Sequence, residues 1–555
     1  MKILLTGALL ALISFTAKAQ EMKIEQMAND NALIRIAPNA KSKYILLPIE
    51  EKAPEAAMKV ICNNMQQRTL YIRLALTKVD YYVPFELSEY QGKNLVLQTH
   101  LNIDRSNGRG AKSEICWENI KLSDTFDTAN KEKFRPEFHH TPVYAWMNDP
   151  NGMFYLNGEW HLYYQYGPYG SMWNNMTWGH SVTRDLIHWE HRPSAIFPDA
   201  HGSIFSGSCV VDHENTAGFG KDAVIALYTS AGDVQSQSLA YSLDGGNTFT
   251  KYDGNPILTS DIPDFRDPNM FWNEDIKAWN LILACGQEMR LYSSPNLIDW
   301  TEESRFGQGL GNHEGVWECP DLMKLPVEGT NESKWVLICN INPGGPAGGS
   351  ATQYFVGDFD GHKFTVDNTS RYLNGNALWQ DYGMDHYATV SFSNAPEGRH
   401  TMIAWMSNWL YANDVPTMQF RSANSITREP YLYKVGNELF MGSRPSPEYD
   451  NSSLDKVLKV KGNTTVTLSN DEGEEFIITY DQKAMTLTCD RSKSGITNFN
   501  QHFASKPVVA PVHKKLTQLR VFVDNSSVEV FGNNGEVCLT NLVFPKSKFN
   551  HISVK

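Results

Sequence analysis

Four stretches of this chain share one pattern: a polar turn, then an aromatic residue at the start of a strand. They are "RDLIHWEH", "SLDGGNTFTKYDGNPIL", "SPNLIDWTE" and "FDGHKFT", and their aromatics Trp189, Phe249, Trp300 and Phe364 recur about every 50 to 65 residues. Self-similarity at a fixed period marks an architecture built from repeated supersecondary units. This period suits one four-stranded propeller blade with generous loops, and residues 135–435 have room for five. The alternative is an ordinary β-sandwich with accidental likeness between its turns. Phe154, Leu156, Trp160, Leu162 and Tyr164 keep one parity, as half-buried strands do. Long amphipathic helical patterns are missing, so the fold class predicted is all-β.

The flanks differ in texture. Residues 1–19 read as a secretory signal peptide: Lys2, the apolar run "ILLTGALLALISF", and the small-residue cleavage site Ala17-Lys18-Ala19. The run is too short for a spanning helix, and no cysteine at the cleavage site offers a lipid attachment point. The chain is expected to be exported without a membrane anchor, into the periplasm of a Gram-negative host or otherwise into the medium. Residues 20–130 hold short alternating runs such as "LYIRLAL" and predict a small β-rich N-terminal module. Residues 436–555 hold strands such as "EEFIITY" and "LRVFVDNSSVEVFG" with turns every 8 to 12 residues, the pattern of a β-sandwich.

Charge and cysteine usage exclude several functions. The formal charge is −13, and loss of Lys2 and Lys18 with the leader takes it to −15. Phosphate affinity comes from Lys and Arg, so nucleic acid is a poor partner. The eight cysteines show no zinc-like spacing. Most sit in apolar runs and read as buried thiols, although Cys62 and Cys116 could pair in an oxidising compartment. His139, His140, His180 and His313 are the candidate metal ligands, but scattered histidines near aromatic runs read better as hydrogen-bonded structural residues. Neither a metal nor another cofactor is assigned.

Three acidic residues stand out. An acid in a turn usually caps a backbone group or faces water. Asp149 in "WMNDPNG", Asp267 in "DFRDPNMFW" and Glu318 in "GVWECPDL" are instead bracketed by aromatic or apolar residues, each with a proline within two positions. Inner strands of successive blades converge on one funnel, so the three would share a pocket. Glycoside hydrolysis needs such a set, one carboxylate ionised and one carboxylic acid protonated. Glu318, between Trp317 and Cys319, is the natural proton donor, its pKa raised by apolar walls and like charge. Asp149, with Asn148 and Asn151 beside it, is the natural ionised partner.

In this order, "WMNDPNG", "FRDP" and "WECPDL" resemble the three signature motifs of glycoside hydrolase family 32, the β-fructofuranosidases. "WGHSVTRDLIHWEH", "FSGSCVVD", "GMDHYAT", "AWMSNWLYANDVPT" and "VDNSSVEVFGNNG" extend the resemblance over about residues 138–555. It implies a five-bladed propeller fused to a C-terminal sandwich and a retaining mechanism. By the same resemblance Asp149 is the nucleophile, Glu318 the acid/base and Asp267 the transition-state stabiliser. Asn148, Gln165, Trp173, Phe205, Ser206 and Arg266 match positions around the terminal fructose, and Trp409 matches a rim aromatic. The implied partner is a fructan or fructo-oligosaccharide, cut from the chain end. An endo-acting enzyme, a non-catalytic fructan-binding propeller and a propeller hydrolase of arabinose-containing glycans are the alternatives. The linkage, β-2,6 or β-2,1, is not encoded in any readable motif. "SLDGGNTFT" also fits the Asp box of sialidases, which is a structural turn.

Overall fold

A computed structural model describes residues 21–555 except 28–29, 102–113, 129–131 and 451. The signal peptide reading falls on residues outside this description. The chain divides into two units, Met1–Phe126 and Asp127–Lys555. Strands dominate both, and the described residues hold one α-helix, the four-residue Cys116–Asn119.

The first unit contains a five-stranded and a three-stranded sheet. Its strand Ala56–Cys62 shows why: Ala56, Met58, Val60 and Cys62 are buried, while Ala57 and Lys59 are exposed. Cys62 and Cys116 both remain free, buried thiols.

The second unit opens with five antiparallel sheets of four or five strands, taken in chain order. Their first strands are β1 (Ala145–Leu156), β2 (Ser203–Asp212), β3 (Phe265–Asn273), β4 (Val316–Pro326) and β5 (Tyr387–Ser391). Each first strand packs beside the next, and β5 packs beside β1, so the five close a cycle. Phe420–Arg421 pairs in parallel with Ala145–Trp146, which ties the end of the region to its beginning.

The repeat seen in the sequence has a common location, the turn joining the third and fourth strands of a sheet. Asp185, Asp244, Asn296 and Asp360 each accept backbone N–H groups of the residues that follow them. A short polar side chain at that point replaces the missing ladder bonds of the corner. In "SLDGGNTFT", Ser242 donates to Asp244 at 2.7 Å and Tyr163 donates to the carbonyl of Gly246 at 2.5 Å, so this Asp box is a structural turn.

The single-parity expectation is corrected. Both faces of β1 and of its partner strand Glu159–Gly167 are buried, because each sheet is covered on two sides by its neighbours. Trp160, Leu162 and Tyr164 pack with Phe392 and Ile403 of the fifth sheet, whereas Phe154 and Tyr163 pack with Ile204 and Tyr228 of the second. The hairpin registers Tyr155 opposite Trp160, so parity inverts across its two-residue turn, Asn157-Gly158, where both residues have positive φ.

Two further antiparallel sheets follow, one built on Gln518–Val523 and Ser527–Gly532, the other on Thr464–Ser469 and Glu475–Asp481. Val466, Phe476 and Ile478 from one meet Leu519, Val521 and Val530 from the other in a shared core. Buried ion pairs fasten these sheets to the preceding cycle. Arg428 lies between Asp381, at 2.8 Å, and Glu529. Arg491 reaches Asp385 at 2.6 Å. His139 sits between Asp524 and Glu529, 2.8 Å from each. Removing one member of such a buried set costs about 3–5 kcal/mol, because it strands the remaining charge.

Candidate active site

Each of the five first strands carries an irregularity at the same level. In β1, Asn148 and Asp149 together face Gln165. In β2, Phe205 and Ser206 face Thr229. In β3, Asp267 and Pro268 face Leu283; in β4, Cys319 and Pro320 face Cys339; in β5, Ala388 and Thr389 face Ala404. These are β-bulges, which leave an unpaired residue and re-aim its side chain. Asp267, Cys319 and Ala388 have left-handed φ values of 65°, 40° and 53°, conformations a side chain occupies only when its surroundings enforce them. Pro268 beside Asp267 and Pro320 beside Cys319 cost no ladder bond, since the bulge has already removed it.

The bulges are wired to one another. Ser206 Oγ donates to Asp149 Oδ2 at 3.0 Å. The N–H of Asp267 donates to Thr229 Oγ1 at 3.0 Å, and the N–H of Cys319 donates to Asp267 Oδ2 at 2.9 Å. Asn340 donates to the carbonyl of Cys319 at 2.7 Å and accepts from the N–H of Thr389 at 3.1 Å. The N–H groups freed at three bulges are thus satisfied by the adjacent sheet.

A cavity of about 430 Å³ opens above this level, lined by Asp149, Asp267 and Glu318. Asn148, Gln165, Trp173, Phe205, Ser206, Arg266 and Trp409 line it too, so every site residue expected from the sequence is brought together there. Met176, Gln235, Asp264 and Asn342 complete the wall and were not singled out in the sequence. Trp409 stacks on the buried Trp146 at 5.9 Å and meets Trp173 edge-on at 6.5 Å, and Trp173 meets Phe205 at 6.1 Å. One side of the cavity is therefore an aromatic arc, the surface that packs on the C–H faces of a sugar ring.

The opposite side is charged. Arg266 donates from Nε (3.1 Å) and Nη2 (2.8 Å) to Glu318 Oε1, and from Nη1 to Asp264 at 2.6 Å and Gln235 at 3.2 Å. The hydroxyl of Tyr387 donates to the other oxygen of Glu318. Trp146 Nε1 donates to Asn148 at 2.7 Å, and Asn148 donates to Asp149 Oδ1 at 3.0 Å. Asn151, expected beside Asp149, instead accepts from Gln165 at 3.0 Å. The Cys319 thiol lies beneath the carboxylates, 3.6 Å from Asp149 Oδ2 and 3.5 Å from Asp267 Oδ2.

Burial and like charge disfavour ionisation at Asp267 and Asp149. Burial pushes Asp267 up to about 7; Arg266 pulls it down, and Glu318 and Asp149 push it further up. Asp149 is also raised, first by burial and then by the charge of Glu318, against the pull of Asn148 and Ser206. Burial and the charge of Glu318 thus act against the ionised Asp149 expected from the sequence, and Asn148 and Ser206 act for it. Its donors are present, but burial outweighs them. A proton on Asp267 is therefore retained up to near neutrality.

The candidate metal ligands have other roles. His140 bonds Asn424 and Ser181 at 2.7 and 2.9 Å, His180 bonds His161 at 3.1 Å, and His313 donates to the carbonyls of Gly307 and Leu310.

Against known families, residues 139–442 match the N-terminal domain and residues 449–555 the C-terminal domain of glycosyl hydrolases family 32. The chain belongs to glycosyl hydrolases family 32. It is accordingly a glycoside hydrolase. Residues 28–138 match a domain of unknown function, DUF4980. The levanase of Bacillus subtilis is 44% identical over 457 residues, covering 75% of this chain and 67% of its own. The extracellular exo-inulinase of Aspergillus awamori is 37% identical over 492 residues, covering 76% and 91%. A crystal structure of exo-inulinase from that fungus aligns with a TM-score of 0.70 at 35% identity, covering 77% of this chain and 96% of its own. No helix among the described residues is long and apolar enough to cross a membrane.

Proposed function

We propose that this family 32 enzyme is a retaining exo-hydrolase that releases terminal β-D-fructose from levan- or inulin-type fructans and their oligosaccharides, and also accepts sucrose. The observation that carries the reading is the convergence of Asp149, Asp267 and Glu318, from three different first strands, on one pocket. The five sheets are read as blades of a propeller that runs to Pro445 and not to the expected 435, because Glu438–Pro445 pairs with Arg428–Val435 as the last strand of the fifth sheet; a sandwich follows it, and a β-rich module over 20–130 precedes it in the chain.

In this mechanism Asp149 attacks the anomeric carbon of the terminal fructose. The bond to the leaving-group oxygen breaks, and that oxygen takes a proton from Glu318. A fructosyl ester on Asp149 results. Glu318 then removes a proton from water, the water oxygen bonds to the anomeric carbon, and Asp149 leaves as carboxylate. Two displacements at one carbon return the starting configuration. Asp267, anchored by the Cys319 N–H, grips ring hydroxyls as the ring flattens towards the oxocarbenium ion. Asn148, Gln165, Phe205, Ser206, Trp173 and Arg266 enclose that one sugar, and Trp409 packs at the rim.

Exo action follows from the shape of the pocket. Trp146, bonded to Asn148, and Cys319, beside Asp149 and Asp267, are both buried next to the carboxylates, which supports a pocket that takes a chain end. Export to the periplasm or medium fits a polymeric or oligomeric substrate. Chromatography of early digests of levan, inulin and sucrose tests the function. Free fructose from the first minutes is expected. A ladder of oligosaccharides with little monomer would overturn exo action, and no cleavage of any of the three would overturn the reading.

A further inference from the structure

The first strands have a second end. A larger cavity of about 740 Å³ begins at Ser208, Asn269 and Asp321, just past the active-site bulges, and its far end at Asp212, Trp272 and Lys324 lies about 15–20 Å along the strands from the carboxylates, at roughly 3.3 Å per residue. It is lined by the far halves of β2, β3 and β4, including Asp212, Trp272 and Lys324, and by Trp335 of the strand paired with β4. Nothing in the reaction above uses it.

We propose that this cavity is a second carbohydrate site, which holds a remote stretch of the neutral fructan chain whose end occupies the active-site pocket. The inference rests on the fructan reading of that pocket.

Tryptophan exposure points to a ligand. Of the fourteen tryptophans, two are more than one third exposed: Trp173 at 40%, which lines the active-site pocket, and Trp272 at 37%, which lines the second cavity. An indole left open to water forgoes the burial that large aromatics otherwise contribute. Trp272 is also fixed in place. Its ring meets Trp279 edge-on at 5.1 Å. Trp335, lining the same cavity, packs against Phe271 at 5.9 Å. A rigid, open aromatic face stacks on sugar C–H surfaces with little ordering cost.

The charges around it select a neutral ligand. Lys277 pairs with Glu274, and Lys324 lies 3.7 Å from Asp275 and 6.0 Å above the ring of Trp335. Positive and negative groups alternate, so an anion or cation gains nothing net, while hydroxyl groups find both donors and acceptors. A single sugar at this mouth would not assist the reaction at the other. A long chain would, because binding remotely raises the effective concentration of its own end.

The experiment separates this proposal from the function on which it rests. Affinity electrophoresis in levan-containing and inulin-containing gels uses Asp149→Asn protein, so that the polymer is not digested. Retardation by at least one polymer is expected, and its loss when Trp272→Ala is added. Trp272→Leu, which restores packing without a ring face, should behave like alanine, and Trp272→Phe should keep part of the retardation. In otherwise wild-type protein, Trp272→Ala should raise the half-saturating polymer concentration at least threefold while leaving kcat/KM on a fructosyl trisaccharide unchanged. Equal retardation with and without Trp272, or parallel losses on polymer and trisaccharide, overturns the site. Failure of the wild type to release fructose from either substrate overturns the proposed function instead.

Discussion

The backbone N–H of Cys319 donates to Oδ2 of Asp267 at 2.9 Å, so the bulge of β4 holds the carboxylate that the bulge of β3 displays. Both residues are in left-handed conformations. Position and chemistry can therefore be separated at Asp267. Asn keeps an acceptor for Cys319 and loses the charge. Asp267→Asn should keep the wild-type melting temperature within about 2 °C, a change of no more than about 2 kcal/mol at this chain length, and lower kcat about 10²–10³-fold. Asp267→Ala should lose both. A large drop in melting temperature for the Asn variant would show that Asp267 serves packing first.

Asp149→Asn should abolish turnover by roughly 10⁴-fold or more while the protein stays folded, because an amide cannot form the fructosyl ester. In the wild type, NMR of the first product in fresh solution should show the β anomer. Initial appearance of the α anomer would mean inversion and remove Asp149 as nucleophile.

Glu318→Gln tests proton donation through the leaving group. Turnover of sucrose should fall about 10²–10⁴-fold. An aryl β-fructoside whose phenolate departs without a proton should lose far less in the fructosylation step. Equal losses on both would assign Glu318 to binding.

Tyr387 was not visible as a site residue in the sequence, yet its hydroxyl contacts Glu318. Tyr387→Phe removes a hydrogen bond to a carboxylate, about 1.5–3 kcal/mol, and should lower kcat roughly 10- to 100-fold with little change in KM. A change confined to KM would place the tyrosine in substrate contact alone.

His139 gives stability a basic limit. Its two carboxylate partners outweigh burial and raise it to about 9 from an ordinary value of 6.5. A raised value means the folded state holds the proton more tightly. The contribution, on the order of 3 kcal/mol, is complete below pH 6.5 and is lost as pH rises through 9. Asp524 and Glu529 are lowered, so their share is lost in acid. Melting temperature should fall between pH 7 and 9.5, and His139→Gln should be less stable at pH 6 with a flatter slope. An unchanged slope in the variant would contradict the assignment.

The signals legible in the sequence were those carried by local chemistry. The turn repeat was visible because an Asp or Asn must satisfy each corner. The carboxylates were visible because proline and aromatics surround them. What depends on pairing register was hidden. No composition marks a bulge, so nothing announced that Cys319 would touch Asp149 and Asp267, or that β5 would bring Tyr387 to Glu318. Asn151 was placed beside Asp149 by sequence proximity, but strand geometry turns it towards Gln165. Arg266 lines the cavity with the other expected residues, but its clamp with Asp264 and Gln235 was not legible.

The level row of bulges separates the inheritance of shape from the inheritance of reactivity. Strand pairing resumes on both sides of each extra residue, so the side chain displayed there can be exchanged without rebuilding a sheet. Three of the five seats now hold Asp149, Ser206 and Asp267. A fourth holds a thiol, and the fifth only the methyl group of Ala388. A scaffold of this kind can acquire a new reaction by single substitutions at the seats that line the cavity, as those of Asp149, Ser206 and Asp267 do. Ala388, fully buried with Trp146 and Trp405, is the seat whose neighbours would have to give way first.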